Sequence, residues 1–172
     1  MSQLILFIAC SLDGYIASTS GAVDWLFSDQ DYGYDEFYAT CDRLLIGHKT
    51  YKQLLTFGAY PYSDKQGYVF SRSAERDRDE NVVFVSEDLV SFVKDLKSQD
   101  GKHIWLVGGA AIAKTCLEKN LVDKFILSIH PIVLGNGIPL FAPPLPSLSL
   151  RLEHCQTFAT GLVQLTYSAL PS

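Results

Sequence analysis

The sequence predicts an α/β protein built on a mostly parallel sheet with an antiparallel C-terminal edge. Short apolar runs alternate with segments of helical periodicity, which is typical of parallel strands joined by crossover helices. The last two runs are joined through Thr160-Gly161 instead, a dipeptide that suits a hairpin turn. A length of 172 residues fits one domain, so we expect a single domain over residues 1–172.

Eight segments are predicted as strands. The first six are apolar runs of the kind found in strands that are covered on both faces. They are Leu4–Cys10, Arg43–Gly47, Gly67–Phe70, Val82–Val85, His103–Val107 and Lys124–Ile129. The last two lie near Leu150–Thr157 and Leu162–Ser168 and should form the antiparallel edge.

Four helices are predicted in the gaps between the strands. They cover Tyr34–Cys41, Thr50–Leu55, Glu87–Ser98 and Ala110–Lys119. The third is the clearest, because apolar residues from Leu89 to Leu96 recur at helical spacing and give one buried face. Ser86 stands just before it and is a natural N-cap.

Composition and charge exclude several classes of protein. Hydrophobic residues make up 48% of the chain and charged residues 19%, which favours a packed core over disorder. The net charge is −5, with 14 Lys and Arg against 19 Asp and Glu, which argues against a general nucleic-acid binder. No apolar run reaches the roughly 18–20 residues of a membrane-spanning helix. We expect a cytoplasmic protein without a membrane partner.

The cysteines and histidines indicate neither a disulfide framework nor a metal site. None of the four cysteines forms a CxxC pair, and each lies in or beside apolar sequence, so we expect buried, reduced thiols. The four histidines show no metal-ligand spacing with one another or with the cysteines, so no metal is predicted.

Glycine-rich and polar turns follow three of the predicted strands. Parallel α/β sheets bind ligands outside the carboxyl ends of their strands, so these turns should share one edge of the sheet. After the fifth strand, Gly108 and Gly109 leave backbone N–H groups accessible where Ala110 and Ala111 open a helix. Such a helix start is a cradle for a diphosphate. A tight turn without a ligand is the alternative interpretation.

The other two turns carry hydroxyl and cationic groups. The turn after the second strand opens a helix and consists of Gly47, His48, Lys49 and Thr50. After the third strand, Arg72 lies between the hydroxyls of Ser71 and Ser73, which suits a phosphate monoester. In isolation, the first of these turns would be a solvated helix cap and the second an ordinary loop.

Taken together, the three turns fit one extended anionic coenzyme that carries an additional ribose phosphate. The usual dinucleotide fingerprint GxGxxG is absent after the first strand. An acidic residue at the ribose-binding position would favour NAD, whereas the candidate groups in this sequence are His48, Lys49 and Arg72. The sequence therefore predicts NADP(H) as the cofactor.

Six stretches along the chain carry a family resemblance. They are Ser11–Ala17, Gly47–Tyr51, Val69–Arg72, Ile104–Gly109, Leu121–Asp123 and Pro131–Phe141. In this order they resemble the dihydrofolate-reductase-like family, which includes the C-terminal reductase domain of bacterial riboflavin biosynthesis proteins. The resemblance covers nearly the whole chain. It implies a three-layer fold with an eight-stranded sheet, NADPH along the strand ends, hydride transfer to a C=N or C=O bond, and a homodimer.

The resemblance also implies roles around the nicotinamide and the diphosphate. Gly108 and Gly109 match the glycine pair that contacts the diphosphate, and the peptide bond between them is expected to be cis as in dihydrofolate reductases. Ala9 matches the floor of the nicotinamide site, where its carbonyl would accept a hydrogen bond from the carboxamide. The segment Ser11–Ala17 matches the loop that closes over the nicotinamide.

The resemblance places the remaining cofactor contacts near the phosphates. Lys49 and Thr50 match the helix start beside them, and Arg72 matches the position beside the ribose phosphate. His48 stands where the family usually has an arginine, which weakens the fixed positive charge.

Hydride addition to an imine also requires a proton, normally from a positioned acid or a relayed water. Asp24, just before Trp25, is the first candidate for this acid, and Asp13 is the second. Further acidic residues between Asp29 and Glu36 are typical of a solvated helix start.

The sequence thus predicts an NADPH-dependent reductase of a pterin-like or ribosylamino-pyrimidine-like substrate. Two alternatives stay open: a non-catalytic NADP(H)-binding module, and a thiol enzyme that uses Cys10 or Cys41.

Overall fold

The computed structural model describes residues 1–72 and 79–171, so Ser73 lies outside the described residues. The strands are β1 (Leu4–Ser11), β2 (Tyr15–Ala17), β3 (Cys41–Gly47), β4 (Gln66–Phe70), β5 (Val82–Val85), β6 (His103–Gly108), β7 (Lys124–His130), β8 (Ile138–Pro139), β9 (Leu150–Thr157) and β10 (Val163–Ala169). The helices are α1 (Tyr34–Ala39), α2 (His48–Thr56), α3 (Leu89–Ser98) and α4 (Ala110–Glu118).

Eight of these strands form one sheet in the order β5-β4-β3-β6-β1-β7-β10-β9. All neighbours from β5 to β7 are parallel, whereas β10 is antiparallel to both β7 and β9. The β9–β10 hairpin turns through Gly161, whose φ is 90°. The mostly parallel sheet with an antiparallel C-terminal edge is therefore confirmed.

Each face of the sheet carries its own hydrophobic core, and this explains the continuous apolar runs. Successive side chains of a strand point to opposite faces. In β1, Leu4 and Leu6 join the core formed with α3 and α4. Ile5 between them joins the core formed with α1 and α2. The result is a three-layer arrangement in which the helices flank the sheet, as the resemblance implied.

Several details of the secondary structure differ from the prediction. Cys41 begins β3 rather than ending the first helix, and α2 begins at His48 rather than Thr50. Helix α3 begins at Leu89 rather than Glu87, because the N-cap is Asp88 and not Ser86: Asp88 Oδ2 accepts a hydrogen bond from the backbone N–H of Ser91 at 2.9 Å. Strands β2 and β8, which pair as a separate two-stranded sheet, were not predicted from the sequence. Strands of three and two residues are too short to show a hydrophobic period.

The expectation of four buried thiols is wrong for one of them. Cys10, Cys41 and Cys116 are buried, but Cys155 is exposed. The reason is its position in β9, the edge strand, which is open to solvent on both faces along most of its length. In the part of the chain that the structure describes, no helix has the length and apolar character needed to cross a membrane.

Candidate functional site

A cavity of about 730 Å³ lies at the carboxyl ends of β3, β4 and β6. Its size falls in the range of small-molecule and cofactor sites. The residues that line it are Gly47, His48, Lys49, Thr50, Phe70, Ser71, Arg72, Gly109, Ala110, Ala111 and Ile112. The fold thus brings the three predicted turns to one place, although they are far apart in the sequence.

Two helix starts face this cavity. Helix α2 begins directly after Gly47 and α4 directly after Gly109, and neither start has a side-chain cap among the described residues. The first N–H groups of a helix have no partner within the helix, and the helix dipole makes this end partly positive. Both helices therefore present backbone donors and positive potential to the same space, which is the arrangement that binds phosphate groups.

Glycine is required where the two strand ends meet. A Cβ atom on Gly47 would lie 2.9 Å from the backbone N of Gly109, and a Cβ on Gly109 would lie 2.8 Å from Thr50 Oγ1. Both distances are shorter than van der Waals contact. A side chain at Gly47 would therefore push the two backbones apart, and one at Gly109 would displace the Thr50 hydroxyl. The Gly108–Gly109 peptide bond is cis, as the resemblance predicted.

The charged groups of the cavity are positive. Lys49 and Arg72 are exposed at its rim, and His48 is half-buried, with its Nδ1 atom 3.4 Å from the Oγ of Ser71. No carboxylate is found among the described residues of the lining. On a chain whose net charge is −5, a cavity lined in this way favours an anionic ligand over a cationic one.

Two lining residues, Phe70 and Ile112, were not predicted from the sequence. They supply apolar walls between the anion-binding groups. Phe70 is the last residue of β4, and its ring packs edge-on against Phe92 of α3, with ring centroids 5.4 Å apart. Its position immediately before Ser71 at a strand end was the signal that could have identified it.

Four other predicted site residues are not part of this lining: Ala9, Gly108, Asp13 and Asp24. Gly108 ends β6 and is bonded to Gly109, so it adjoins the cavity. Ala9 lies near the carboxyl end of β1 and pairs with Ser128 of β7. Strand β1 is next to β6 in the sheet. Ala9 therefore lies at the same edge of the sheet, beyond the described wall of the cavity.

Asp13 holds two loops together. Its carboxylate accepts hydrogen bonds from Ser11 Oγ at 2.6 Å and from the backbone N–H groups of Leu134 at 3.1 Å and Gly135 at 2.8 Å. The hydrogen bond from Ser11 lowers the pKa of Asp13; partial desolvation opposes this effect, and the two backbone donors add to it. A carboxylate stabilised in its charged form fits a structural role better than that of a proton donor.

Asp24 is exposed in the loop between β2 and α1. The next residue, Trp25, packs edge-on against His130 with ring centroids 5.4 Å apart, and the Nε2 of His130 accepts a hydrogen bond from the backbone N–H of Phe27 at 3.2 Å. His130 is the last residue of β7 and pairs with Ser11 at the end of β1. The loop that carries Asp24 is thereby anchored at the carboxyl edge of the sheet.

The buried thiols do not have the properties of nucleophiles. Burial raises the pKa of Cys10 to about 11, and burial is also the main cause that raises the pKa of Cys41. Both are therefore protonated at neutral pH, whereas the reactive form of cysteine is the thiolate. Across residues 1–72 and 79–171, no group of three or more His, Cys, Asp or Glu side chains is placed to hold a metal ion.

Comparisons with known proteins agree with this architecture. YwjB of Bacillus subtilis is 39% identical over 169 residues, which is 96% of this chain and 97% of YwjB. A putative riboflavin biosynthesis protein from Shewanella sp. PV-4 is 30% identical, with a TM-score of 0.85 over 98% of this chain and 99% of that chain.

A more distant structure shares the fold. It is the diaminohydroxyphosphoribosylaminopyrimidine deaminase/5-amino-6-(5-phosphoribosylamino)uracil reductase of Thermotoga maritima, with a TM-score of 0.76 at 16% identity over 98% of this chain and 57% of that chain. The sequence profile of the RibD C-terminal domain matches residues 2–164. Because this match spans most of the 172 residues and YwjB matches over a similar length, the chain belongs to the RibD C-terminal domain family.

Proposed function

We propose that this protein is an NADPH-dependent reductase that transfers a hydride to a C=N or C=O bond of a pterin-like or ribosylamino-pyrimidine-like substrate. The observation that carries the proposal is the convergence of two uncapped helix starts, Lys49 and Arg72 on one cavity. Membership of the RibD C-terminal domain family supports a reductase-like role.

The residues of the cavity fit such a cofactor. A diphosphate needs backbone or hydroxyl donors in a space that side chains do not fill. The cavity provides such a space, and Thr50 and the first two residues of α4, Ala110 and Ala111, line it. The apolar walls formed by Phe70 and Ile112 suit the uncharged parts of a dinucleotide.

The selectivity for NADPH over NADH comes from the cations at the rim. NADPH carries one more phosphate than NADH, on the adenosine ribose. Arg72 would bind this phosphate with the Ser71 hydroxyl, while Lys49 and His48 would contribute from the start of α2. Hydrogen bonds to charged groups contribute about 1.5–3 kcal/mol each, so one such contact is enough for a measurable preference.

When bound, the cofactor supplies the hydride; the chain positions both reactants and supplies the proton. We assign the proton-donor role to Asp24, on the loop anchored by Trp25 and His130 at the carboxyl edge of the sheet. Asp13, the second candidate, is better suited to hold the neighbouring loop in place, because its carboxylate already accepts three hydrogen bonds.

The substrate class rests on the relatives. The Thermotoga maritima protein with the same fold is named as a 5-amino-6-(5-phosphoribosylamino)uracil reductase, and the Shewanella protein as a putative riboflavin biosynthesis protein. A planar heterocycle with a reducible C=N or C=O bond is therefore the acceptor to test first, in both its pterin and its ribosylamino-pyrimidine forms.

The cofactor is tested by titrating the protein with NADPH and with NADH while following the fluorescence of Trp25 and Trp105. We expect tighter binding of NADPH. The Arg72→Ala variant should bind NADPH about 10- to 150-fold more weakly, which corresponds to the loss of one charge-assisted contact, and should bind NADH almost as before. Lys52→Ala is the matched control, because Lys52 is an exposed cation on α2, the helix that begins at the cavity, but does not line the cavity.

The reaction is tested by following NADPH oxidation with a panel of dihydropterins and ribosylamino-pyrimidines. We expect turnover with at least one of them and a loss of turnover in Asp24→Asn at unchanged NADPH affinity. Equal affinity for NADPH and NADH would refute the phosphate argument. NADPH binding without turnover of any member of the panel would favour the non-catalytic binding module.

A further inference from the structure

The carboxyl edge of the sheet continues beyond the cavity that holds Lys49 and Arg72. The cavity lies over the ends of β3, β4 and β6, and strands β1 and β7 come next in the sheet. A cofactor that extends from the cavity to Ala9 brings its nicotinamide to the end of β1, so its substrate must bind there. We call this region the substrate end. It is formed by the loops that follow β1, follow β7 and join β9 to β10, which are residues 11–33, 130–141 and 158–162.

The substrate end carries acidic groups and no strong cation. Its three loops contain four aspartates and no lysine or arginine. The aspartates are Asp13, Asp24, Asp29 and Asp31, and all of them are exposed. The hydrogen bond from Ser11 lowers the pKa of Asp13, and the hydrogen bond from the Tyr32 hydroxyl lowers the pKa of Asp29. Both carboxylates are therefore negatively charged at neutral pH.

These carboxylates also occupy backbone donors that could otherwise bind an anion. The successive N–H groups of Leu134 and Gly135 both donate to Asp13, at 3.1 and 2.8 Å. At the start of α1, the N–H of Asp35 donates to Asp31 at 3.1 Å. The starts of α2 and α4 at the cavity have no such side-chain cap among the described residues. Free backbone donors for a phosphate are thus offered at the cavity and used up at the substrate end.

The substrate end offers aromatic surface instead. The ring of Phe27 is 36% exposed, and its centroid lies 4.9 Å from that of His130 and 6.4 Å from that of Tyr32. His130 is buried, its Nε2 accepts a hydrogen bond from the N–H of Phe27, and its Nδ1 lies 3.1 Å from the carbonyl oxygen of Ser128. Both ring nitrogens are therefore engaged within the protein. Aromatic rings without a neighbouring cation suit a planar, uncharged ligand.

We infer, on the basis of the proposed reductase function, that the substrate is a planar heterocycle without a phosphate or another acidic group. A phosphate ester would bring about two negative charges to a region with four carboxylates and no lysine or arginine. Like charges brought together in this way exclude a ligand. The substrate class thus differs from the phosphoribosylamino-uracil in the name of the Thermotoga maritima protein.

The test is the affinity for two matched pairs of ligands, measured by isothermal titration calorimetry with NADP⁺ present so that no hydride is transferred. One pair is a ribosylamino-pyrimidine and its phosphate ester, and the other is a methyl-substituted and a carboxyl-substituted pterin. Within each pair the ring is the same and the charge differs. We expect the anionic member to bind at least about tenfold more weakly, and the difference to shrink at high salt, which screens exposed charges.

A double variant, Asp29→Asn with Asp31→Asn, tests whether the carboxylates cause this difference. Asparagine keeps an oxygen that accepts the same hydrogen bonds but removes the charge. The difference in affinity should narrow at least about threefold. The matched control is Asp95→Asn with Asp100→Asn, because these exposed residues lie on α3 and in the loop before β6, outside the substrate end. It changes the net charge equally and should leave the difference as in the wild type.

Equal or tighter binding of the anionic member of either pair overturns the inference. So does a protein that binds none of the four ligands, or a difference that the control variant narrows as much as the double variant does. Because binding is measured without turnover, failure of the reductase function is recognised separately. A protein that prefers the uncharged members but oxidises NADPH with none of them supports the ligand class and refutes the reductase function.

Discussion

The substitution Gly47→Ala tests whether the close approach of two strand ends builds the cofactor site. Gly47 has φ −72° and ψ 146°, a conformation that alanine adopts freely, so the effect of the new methyl group is purely steric. That methyl carbon would lie 2.9 Å from the backbone N of Gly109, whereas ordinary contact begins at 3.4 Å. The ends of β3 and β6 must therefore separate by about 0.5 Å, as expected for an overpacked contact.

The expected effect follows from this displacement. Overpacking of this kind costs about 1–3 kcal/mol of stability. A shift of about 0.5 Å lengthens a 2.9 Å hydrogen bond to a phosphate beyond its useful range, which removes about 1.5–3 kcal/mol of binding free energy. We therefore expect NADPH to bind about 10- to 150-fold more weakly to Gly47→Ala in the fluorescence titration, with turnover reduced at subsaturating NADPH.

The matched control is Gly67→Ala. A Cβ atom at Gly67 would lie 2.9 Å from Val82 Cγ1 and 2.5 Å from the hydroxyl oxygen of Tyr60, so this variant is overpacked as well. Gly67 lies near the amino end of β4, whereas the cavity lies at the carboxyl ends of the strands. It should lose similar stability in urea unfolding but keep its NADPH affinity. Equal NADPH affinity in Gly47→Ala and the wild type would refute the proposed role of the Gly47–Gly109 contact.

Two further predictions concern the fold and the first loop. Arg43 is 6% exposed and donates hydrogen bonds to the carbonyl oxygens of Leu96 and Lys102 at 2.9 and 2.7 Å. Arg43→Met leaves these acceptors unpaired and should lower the free energy of unfolding, measured in urea, by about 3 kcal/mol. A loss below about 1 kcal/mol would contradict this role. The pKa of Asp13 is lowered in the folded state, so its stabilising effect is present above its unfolded pKa of about 3.9 and disappears as the pH falls through the lower folded value. The difference in unfolding free energy between the wild type and Asp13→Asn should therefore shrink on acidification below about pH 4, and a difference independent of pH would show that the charge of Asp13 does not matter.

The sequence by itself determined the order and the type of most elements. Residues buried on both faces of a parallel strand must be apolar, so the run Leu4–Cys10 indicates such a strand without knowledge of its neighbours. The periodicity of α3 has the same local origin, because one face of the helix is buried. Its start was misplaced by two residues, since Ser86 and Asp88 are both good N-caps and only the bond to Ser91 decides between them.

The tertiary structure decided what depends on contacts between distant segments. Gly47 and Gly109 each mark a strand-to-helix turn in the sequence, but their backbone contact exists only because β3 and β6 are neighbours in the sheet. In the same way, the sequence does not distinguish Asp13 from the other acidic residues. Its role depends on the loop of Leu134 and Gly135, which places two backbone N–H groups against its carboxylate. Hydrophobic periodicity reports how each segment is buried, whereas the pairing of segments is set by the packing of the whole chain, and the candidate site is a product of that pairing.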